Sequence, residues 1–229
     1  VLPPGGGALR QLATIDIGSL DPRLREADIV AACDVDNPLC GPRGATAVYG
    51  PQKGATPAMV ERLDESLRHY GQIAIATFGR NVAETPGAGA AGGLGAGLLW
   101  FAGARLQPGI AIVIAATGLR DWIRQADLVV TGEGSTDWQT AFGKAPAGIA
   151  GLARDFQVPV ICLSGGLGTG YRQLHAIGIA AAASTVPGPM PLADCMAAGV
   201  ALIEDAAERV ARLLAVGIGI GGSGPRPGD

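Results

Sequence analysis

The stretch from Leu128 to Lys144, LVVTGEGSTDWQTAFGK, constrains the fold of this chain more than any other. Its first residues are apolar and partly β-branched, and they predict a short buried strand over 127–131. Two glycines then flank Glu133, a polar run follows, and an amphipathic helix is predicted over 146–155. The order strand, glycine-rich loop, helix is typical of open α/β sheets, in which such loops lie at the carboxyl ends of strands and bind ligands.

The rest of the chain alternates short apolar runs with amphipathic segments, which predicts a parallel sheet with right-handed crossovers. A glycine turn at 164–166 is expected to end its strand. The predicted strands cover 28–34, 110–115, 127–131, 158–164 and 179–183. One predicted helix begins at Pro57 with Thr56 as its N-cap, and another begins at Pro86. The remaining predicted helices cover 118–125, 146–155, 170–176 and 191–214.

Composition excludes several classes of protein. The 229 residues suffice for one large or two small domains, with 48% apolar and 16% charged residues. A formal charge of -3 without a basic stripe argues against a nucleic-acid partner. No apolar run is long enough to span a membrane, and the four cysteines show no metal-binding spacing, so we expect free thiols in a cytoplasmic protein. The glycine- and proline-rich end, 217–229, is predicted to be a disordered tail.

Only two of the 17 basic residues are lysines, Lys53 and Lys144, and both lie beside glycines in polar segments. A compact ammonium can follow a phosphate as a point charge, whereas a guanidinium prefers a fixed planar partner. Both lysines are therefore candidate phosphate ligands. The alternative, that an arginine-rich chain retains two lysines by chance, stays open.

An acidic segment leaves the first predicted strand, where Asp34 and Asp36 are two positions apart. Such a pair suits Mg2+ held together with phosphate oxygens, or a general base beside a cation. The Asn-Pro that follows also fits turn chemistry alone. Two cations with glycines on either side, Arg43 and Lys53, follow within 20 residues of this acidic pair, and Gln52 precedes Lys53. A long polar segment of this kind favours a functional loop.

The stretch 86–97, PGAGAAGGLGAG, contains the spacing GxGxxG at Gly87, Gly89 and Gly92. Glycines at the start of a helix expose backbone N–H groups to an anion. No strand clearly precedes the stretch and no acidic residue follows about 20 positions on, so it is not a dinucleotide fingerprint. Anion contact and close packing of a small-residue helix are both compatible with it.

The sequence does not match the known motifs of nucleotide-binding proteins and hydrolases. Gly143-Lys144 resembles the end of a Walker A motif, but Trp138 stands where its first glycine belongs and Ala145 replaces its Ser or Thr. Protein-kinase signatures are absent. His69 and His175 have no nucleophile or metal-ligand context, which argues against a Ser-His-Asp mechanism. A phosphate-handling site of another design remains.

Taken together, the segments 33–56 (CDVDNPLCGPRGATAVYGPQKGAT), 86–97 and 130–146 (VTGEGSTDWQTAFGKAP) resemble the type I glycerate kinase family. The resemblance extends over about 1–214. It implies ATP-dependent phosphorylation of D-glycerate with Mg2+, with 2-phosphoglycerate as the favoured product. It also implies an α/β fold of two lobes, one a Rossmann-like parallel-sheet lobe and the other a mixed α/β lobe, with the active site in the cleft between them.

On this resemblance, 1–125 form part of the mixed lobe and 126–216 the Rossmann-like lobe, whose first strand lies in an opening segment of the family that this chain lacks. The rival hypotheses are a non-catalytic anion- or nucleotide-binding remnant without that segment, and a nicotinamide-dependent oxidoreductase, which the missing fingerprint disfavours. The partner is a small molecule, and a homodimer is left open. The resemblance implies catalytic roles for Asp34, Asp36, Asp137 and Lys144, metal contacts for Asp36 and Glu133, and substrate or nucleotide contacts for Asn37, Arg43, Gln52, Lys53, Gly87, Gly89, Gly92, Gly132, Gly134, Gln139 and Thr140.

Overall fold

The computed structural model describes residues 2–141 and 144–221. Its contacts divide the chain into two compact units, Val1–Ile112 and Val113–Asp229. Helices alternate with parallel strands in both, which confirms the predicted α/β class. The lobe boundary predicted between 125 and 126 stays a prediction.

The first unit contains a short parallel sheet and three helices wholly within its bounds. Strand β1 (Val30–Ala32) pairs with β2 (Arg105–Gln107), and the helices are α1 (Ala45–Tyr49), α2 (Pro57–Phe78) and α3 (Ala90–Ala102). As the sequence predicts, Thr56 caps α2: its hydroxyl accepts the Met59 N–H at 3.3 Å, while proline occupies the first turn. A buried cluster that includes Leu39, Leu67 and Trp100 forms the core.

The second unit is built on three parallel strands in the order β3 (Val129–Thr136), β4 (Val160–Leu167) and β5 (Ile179–Ser184). Its apolar strand residues pack with α6 (Ala145–Asp155), which connects β3 to β4. The other helices are α5 (Leu119–Arg124), α7 (Leu192–Ala197) and α8 (Gly199–Gly221). The described residues also form five short 3₁₀ helices: Gly6–Gln11, Pro22–Arg25, Pro51–Lys53, Trp138–Ala141 and Tyr171–Ile177.

The strand predicted over 110–115 is wrong, because this segment lies in helix α4 (Gly109–Thr117). A short apolar run does not separate a strand from a buried helix by periodicity. The first N–H of the helix, on Gly109, donates to Asp34 Oδ1 at 2.8 Å. This contact spans 75 positions of sequence, so no local pattern could have indicated it.

The glycine-rich segments after the apolar runs are strand and not loop or turn. Strand β3 continues through Thr136 and β4 through Leu167, with Glu133 opposite Ser164 in the register. Gly132 is backed by the carbonyl of Leu163, which lies only 2.1 Å from where a Cβ would stand. Because glycine has no side chain, β4 can lie this close to Gly132, and the strand pairing continues where a loop and a turn were predicted.

Other predicted bounds shift. The helix predicted from Pro86 begins at Ala90, with left-handed backbone at 91–93. The helix predicted over 170–176 is the 3₁₀ helix Tyr171–Ile177. The helix predicted over 191–214 is divided into α7 and α8, and α8 continues to Gly221. The tail predicted over 217–229 overlaps the end of α8, and its part from 222 onward lies outside the described residues.

Candidate active site

Three charged side chains of the second unit converge near the carboxyl end of strand β3. Lys144 Nζ lies 3.5 Å from Glu133 Oε2 and 4.0 Å from Asp137 Oδ1. The strand supplies Glu133, the turn after it supplies Asp137, and Lys144 directly precedes α6. The side chains of Glu133, Asp137 and Lys144 are 16%, 30% and 41% exposed, so the cluster is partly open to solvent and not sealed in the core. Two carboxylates facing one ammonium leave a net negative charge that suits a further cation.

Buried hydroxyl groups surround Glu133 on its inner side. Its Oε1 accepts hydrogen bonds from the hydroxyls of Thr136, at 3.0 Å, and Thr140, at 2.5 Å. Thr136 Oγ1 also lies 2.5 Å from Ser164 Oγ on the neighbouring strand. All three hydroxyl residues are fully buried. The carboxylate therefore has one oxygen in a dry hydroxyl pocket and one facing Lys144.

The remaining candidates of the second unit are backbone positions or incompletely described. A Cβ on Gly132 would meet the Leu163 carbonyl, whereas one on Gly134 would meet nothing within 4 Å. Gly132 is thus needed for strand packing, and Gly134 leaves open space beside the strand. Gln139 lies on the 3₁₀ helix Trp138–Ala141, but its side chain is outside the described part of the structure, as is Gly143.

The acidic segment of the first unit is tied down by polar contacts. Asp36 Oδ2 forms an ion pair with Arg43 Nη2 at 2.7 Å, and both side chains are well exposed. Asn37 Nδ2 donates to the Arg43 carbonyl at 2.8 Å, and the Tyr49 hydroxyl donates to Asn37 Oδ1 at 2.5 Å. Asp34 caps α4 through its Oδ1. Asp36, Asn37 and Arg43 are thereby brought together on one loop.

Sequence reasoning missed Tyr49. Its phenol fixes the amide of Asn37, and partial burial, with smaller contributions from Cys33 and Asp36, raises the pKa of the phenol. The proton therefore stays on the oxygen and remains available to donate. The signal in the sequence was an aromatic residue between two glycine-bracketed cations, which is too common to be decisive.

The glycine stretch shows why small residues are needed there. The Gly89 N–H donates to the Asn37 carbonyl at 2.9 Å, and a Cβ on Gly89 would lie 2.2 Å from the Pro38 carbonyl. Gly87 has a φ of +87°, and a Cβ at this position would lie 2.7 Å from Cys33 Sγ. Both glycines thus allow the acidic loop to pack directly on this stretch. Gly92, at φ +73°, has no neighbour within 4 Å of that position.

Gly92 and Lys53 line one cavity of about 310 Å³ together with Tyr49. Gln52 and Lys53 lie on the exposed 3₁₀ helix Pro51–Lys53. Two of the candidates that lie 39 positions apart in sequence therefore meet at one concave surface. A cavity of this size can hold a small organic acid or a phosphate group.

The described residues contain no cluster of three or more His, Cys, Asp or Glu side chains that could hold a metal by themselves. The four cysteines are free thiols, as predicted. Each histidine ring contacts a backbone carbonyl, His69 that of Leu12 and His175 that of Ile179, in keeping with structural roles. Among the described helices, none combines the length and apolar character needed to cross a bilayer.

A comparison with protein families matches the chain to the Glycerate kinase family over residues 1–215. The glycerate kinase of Halalkalibacterium halodurans is 50% identical over 207 residues, which cover 90% of this chain and 54% of that protein. The glycerate 2-kinase of Escherichia coli is 42% identical over 214 residues, covering 93% and 56%. The resemblance noted in the sequence is confirmed.

A similar solved structure is that of a candidate glycerate kinase 2 from Salmonella typhimurium LT2. It matches with a TM-score of 0.80 at 42% identity, over 94% of this chain and 56% of that one. The chain thus spans about half the length of the curated relatives it matches. Fold and family are shared over that half.

Proposed function

This chain belongs to the glycerate kinase family, and from that premise we propose that it catalyses the ATP-dependent phosphorylation of D-glycerate. The observation that carries the proposal is the placement of Lys144 Nζ within 4.0 Å of carboxylate oxygens of both Glu133 and Asp137. Phosphoryl transfer needs mainly positioning and charge stabilisation, which acidic and basic side chains supply without a histidine.

In the proposed reaction a hydroxyl oxygen of D-glycerate forms a bond to the γ-phosphorus of ATP. The bond from that phosphorus to the β,γ-bridging oxygen breaks, ADP leaves, and the hydroxyl proton passes to a carboxylate. Asp137 is our candidate for that base in the second unit, and Asp34 or Asp36 in the first. Lys144 stabilises charge on the transferred group, and Gln139 is a further candidate contact. The family resemblance implies the same role for Thr140, whose hydroxyl in the structure donates to Glu133.

The residues present fit Mg2+, which proteins bind through one or two carboxylates together with substrate phosphates. Glu133 Oε2 and Asp137 Oδ1 are such oxygens, and both already face a cation. Asp36 is a further candidate ligand, with one oxygen paired to Arg43. The metal would neutralise phosphate charge when bound.

Substrate carboxylate and nucleotide phosphates are proposed to contact the cationic groups of the first unit, Arg43 and Lys53. Further candidates for substrate or nucleotide contacts in the first unit are Asn37, Gln52, Gly87, Gly89 and Gly92. The candidates in the second unit are Gly132 and Gly134. The cavity shared by Lys53 and Gly92 supports this assignment. Gly87 and Gly89 act through packing of the acidic loop, since a Cβ at either position would meet that loop.

Finer expectations do not follow from the contacts of the site. The favoured product is 2-phosphoglycerate, and a reaction site in an interlobe cleft and a cytoplasmic location stay predictions from the resemblance and composition. A homodimer is supported by the exposed apolar side chains of α8, among them Leu213, Val216 and Ile218. Sedimentation velocity over a range of protein concentrations would measure that association.

The test is glycerate-dependent release of ADP from ATP with Mg2+, comparing the chain with Lys144→Ala and Asp137→Ala. Loss of one preorganised charge at a reacting group costs roughly 100-fold or more in kcat. Arg209→Ala is the matched control, because it removes a cation whose partner is Asp205 on exposed α8. We expect turnover that falls in both site variants and is unchanged in the control.

Two results would contradict the proposal. Turnover that survives in both site variants would remove this cluster from the chemistry. ATP binding without glycerate-dependent ADP release would instead favour the rival hypothesis of a non-catalytic nucleotide-binding protein. Calorimetry with ATP separates these results, since it measures binding without turnover.

A further inference from the structure

The two oxygens of the Glu133 carboxylate have different surroundings. Oε1 points inward and accepts two hydroxyl hydrogen bonds, from Thr136 at 3.0 Å and Thr140 at 2.5 Å. Oε2 lies 3.5 Å from Lys144 Nζ at the partly exposed side. Because both threonines are fully buried, their hydroxyl protons have these protein partners and not bulk water.

The hydrogen bonds of this group have one direction. An ionised carboxylate can only accept, and each hydroxyl has one proton to donate. Thr136 therefore gives its proton to Glu133 and must accept from Ser164 Oγ at 2.5 Å. Ser164 in turn accepts from the thiol of Cys162, whose Sγ is 3.3 Å away. The donors thus run in series from the core of the sheet toward Glu133.

The direction of the Thr140 hydrogen bonds is fixed by the same argument. Its Oγ1 accepts the backbone N–H of Asp137 at 3.2 Å and donates to Glu133 Oε1. The same hydroxyl therefore connects both carboxylate residues of the cluster: it fixes the side chain of one and the backbone of the other. Its proton is already in use for Glu133.

We propose that Thr136, Thr140 and Ser164 are positioning residues that hold Glu133 with Oε1 turned inward and Oε2 alone directed to Lys144 and the phosphoryl group or its cation. This rests on the proposed function of the cluster. Thr140 then acts through Glu133, in place of the phosphoryl contact that the family resemblance implies. Apolar isosteres would fill the same space, so the hydroxyls contribute orientation and not volume.

The inference predicts a specific pattern of substitutions. Thr136→Val and Thr140→Val keep the shape of the side chain, and each removes one of the two hydroxyls that hold Oε1, so the carboxylate is less restricted in its orientation. We expect kcat to fall roughly tenfold to a hundredfold with little change in KM, the size that loss of an outer-shell partner or a misplacement of about 1 Å produces. Thr136→Ser and Thr140→Ser keep the hydroxyl and should restore kcat. Ser164→Ala, one step removed, should have a smaller effect.

The experiment combines crystal structures of these variants with ADP release and urea unfolding. Supporting results are a Glu133 carboxylate that turns away from the hydroxyl pocket in the valine variants, lower kcat there, and recovery of both in the serine variants. A merely structural role would lower the unfolding midpoint without this recovery of kcat. Should Thr136→Val fail to fold, Thr140→Val, outside the sheet, carries the same test.

Failure of this inference differs from failure of the proposed function. Glu133 in an unchanged position in Thr140→Val overturns the inference whether or not the chain is active. Unchanged kcat in the valine variants, when Glu133→Gln abolishes turnover, also overturns it and leaves the function standing. A Glu133 carboxylate displaced in the valine variants, in a chain without any glycerate-dependent turnover, supports the positioning and refutes the function.

Discussion

Strand β3 offers a matched pair of substitutions two positions apart, Gly132→Ala and Gly134→Ala. The Cβ of the first would lie 2.1 Å from the carbonyl oxygen of Leu163 on β4, and that of the second would meet nothing within 4 Å. Neither glycine has a left-handed φ, so both alanines can adopt the native backbone. The two variants therefore differ in steric contact with the neighbouring strand.

The geometry sets the size of the effect. An ordinary contact needs 3.4 Å or more, so β3 and β4 must separate locally by about 1.3 Å at Gly132. A hydrogen bond stretched by that amount is lost, and two flanking ladder bonds contribute roughly 1 kcal/mol each. Overpacking strain adds about 1–3 kcal/mol. We expect Gly132→Ala to lower the free energy of unfolding by about 3–5 kcal/mol. Gly134→Ala should raise it by about 0.5 kcal/mol, because alanine restricts the unfolded chain.

The assay is urea unfolding of the two variants and the parent, followed by tryptophan fluorescence and circular dichroism. Two of the three tryptophans, Trp122 and Trp138, lie in the second unit, so fluorescence reports mainly on the unit that carries the change. Equal stability of Gly132→Ala and Gly134→Ala, within about 0.5 kcal/mol, would refute the reasoning that close strand contact requires the first glycine.

Two further predictions concern groups whose pKa is raised. Tyr49→Phe should lower stability by about 1–2 kcal/mol at neutral pH, because Asn37 Oδ1 loses its donor. Since the folded-state pKa of Tyr49 is raised, its contribution is complete below the unfolded value of about 10 and is lost as pH rises through the folded value. The stability difference between parent and variant, measured by urea unfolding from pH 8 to 11, should therefore shrink at the alkaline end, and a constant difference would contradict this. For Cys40, burial and the nearby Asp64 raise the pKa to about 11, so at pH 8 only about one thiol in a thousand is the reactive thiolate. Iodoacetamide should modify it only after unfolding, as mass spectrometry of its peptide can show, and labelling of the native chain at the rate of a free cysteine would refute the assignment.

The sequence predicted those parts of the fold that depend on local pattern. The cap at Thr56, the amphipathic helix α6 and the apolar starts of β3, β4 and β5 follow from residue type and spacing within a few positions. Helix α4 was missed because its apolar residues suit either element, and the contact at its start comes from Asp34, far away in sequence. Local periodicity contains no information about such a partner.

The candidate site was predictable by residue type and less so by geometry. Glu133, Asp137 and Lys144 stood out because two carboxylates and an ammonium follow one predicted strand in a glycine-rich segment, and the structure brings them together. Tyr49, Thr136 and Ser164 did not stand out, because hydroxyl residues are common and only the strand register makes them neighbours. The extension of β3 and β4 through their glycines was hidden for the same reason, since a turn and a close strand contact use the same residue.

The glycine-rich carboxyl-terminal halves of β3 and β4 also bear on the order in which parts of the second unit unfold. Toward its amino end β4 places Val160, Ile161 and Cys162 in the core, whereas Gly132 and Gly134 of β3 and Gly165 and Gly166 of β4 contribute backbone bonds and no apolar side chain. Segments with few buried apolar contacts open locally before the whole unit unfolds. Glu133 lies in this glycine-rich half, which we expect to open before the apolar half of β4, and a ligand bound there would stabilise it in proportion to the logarithm of the ligand concentration.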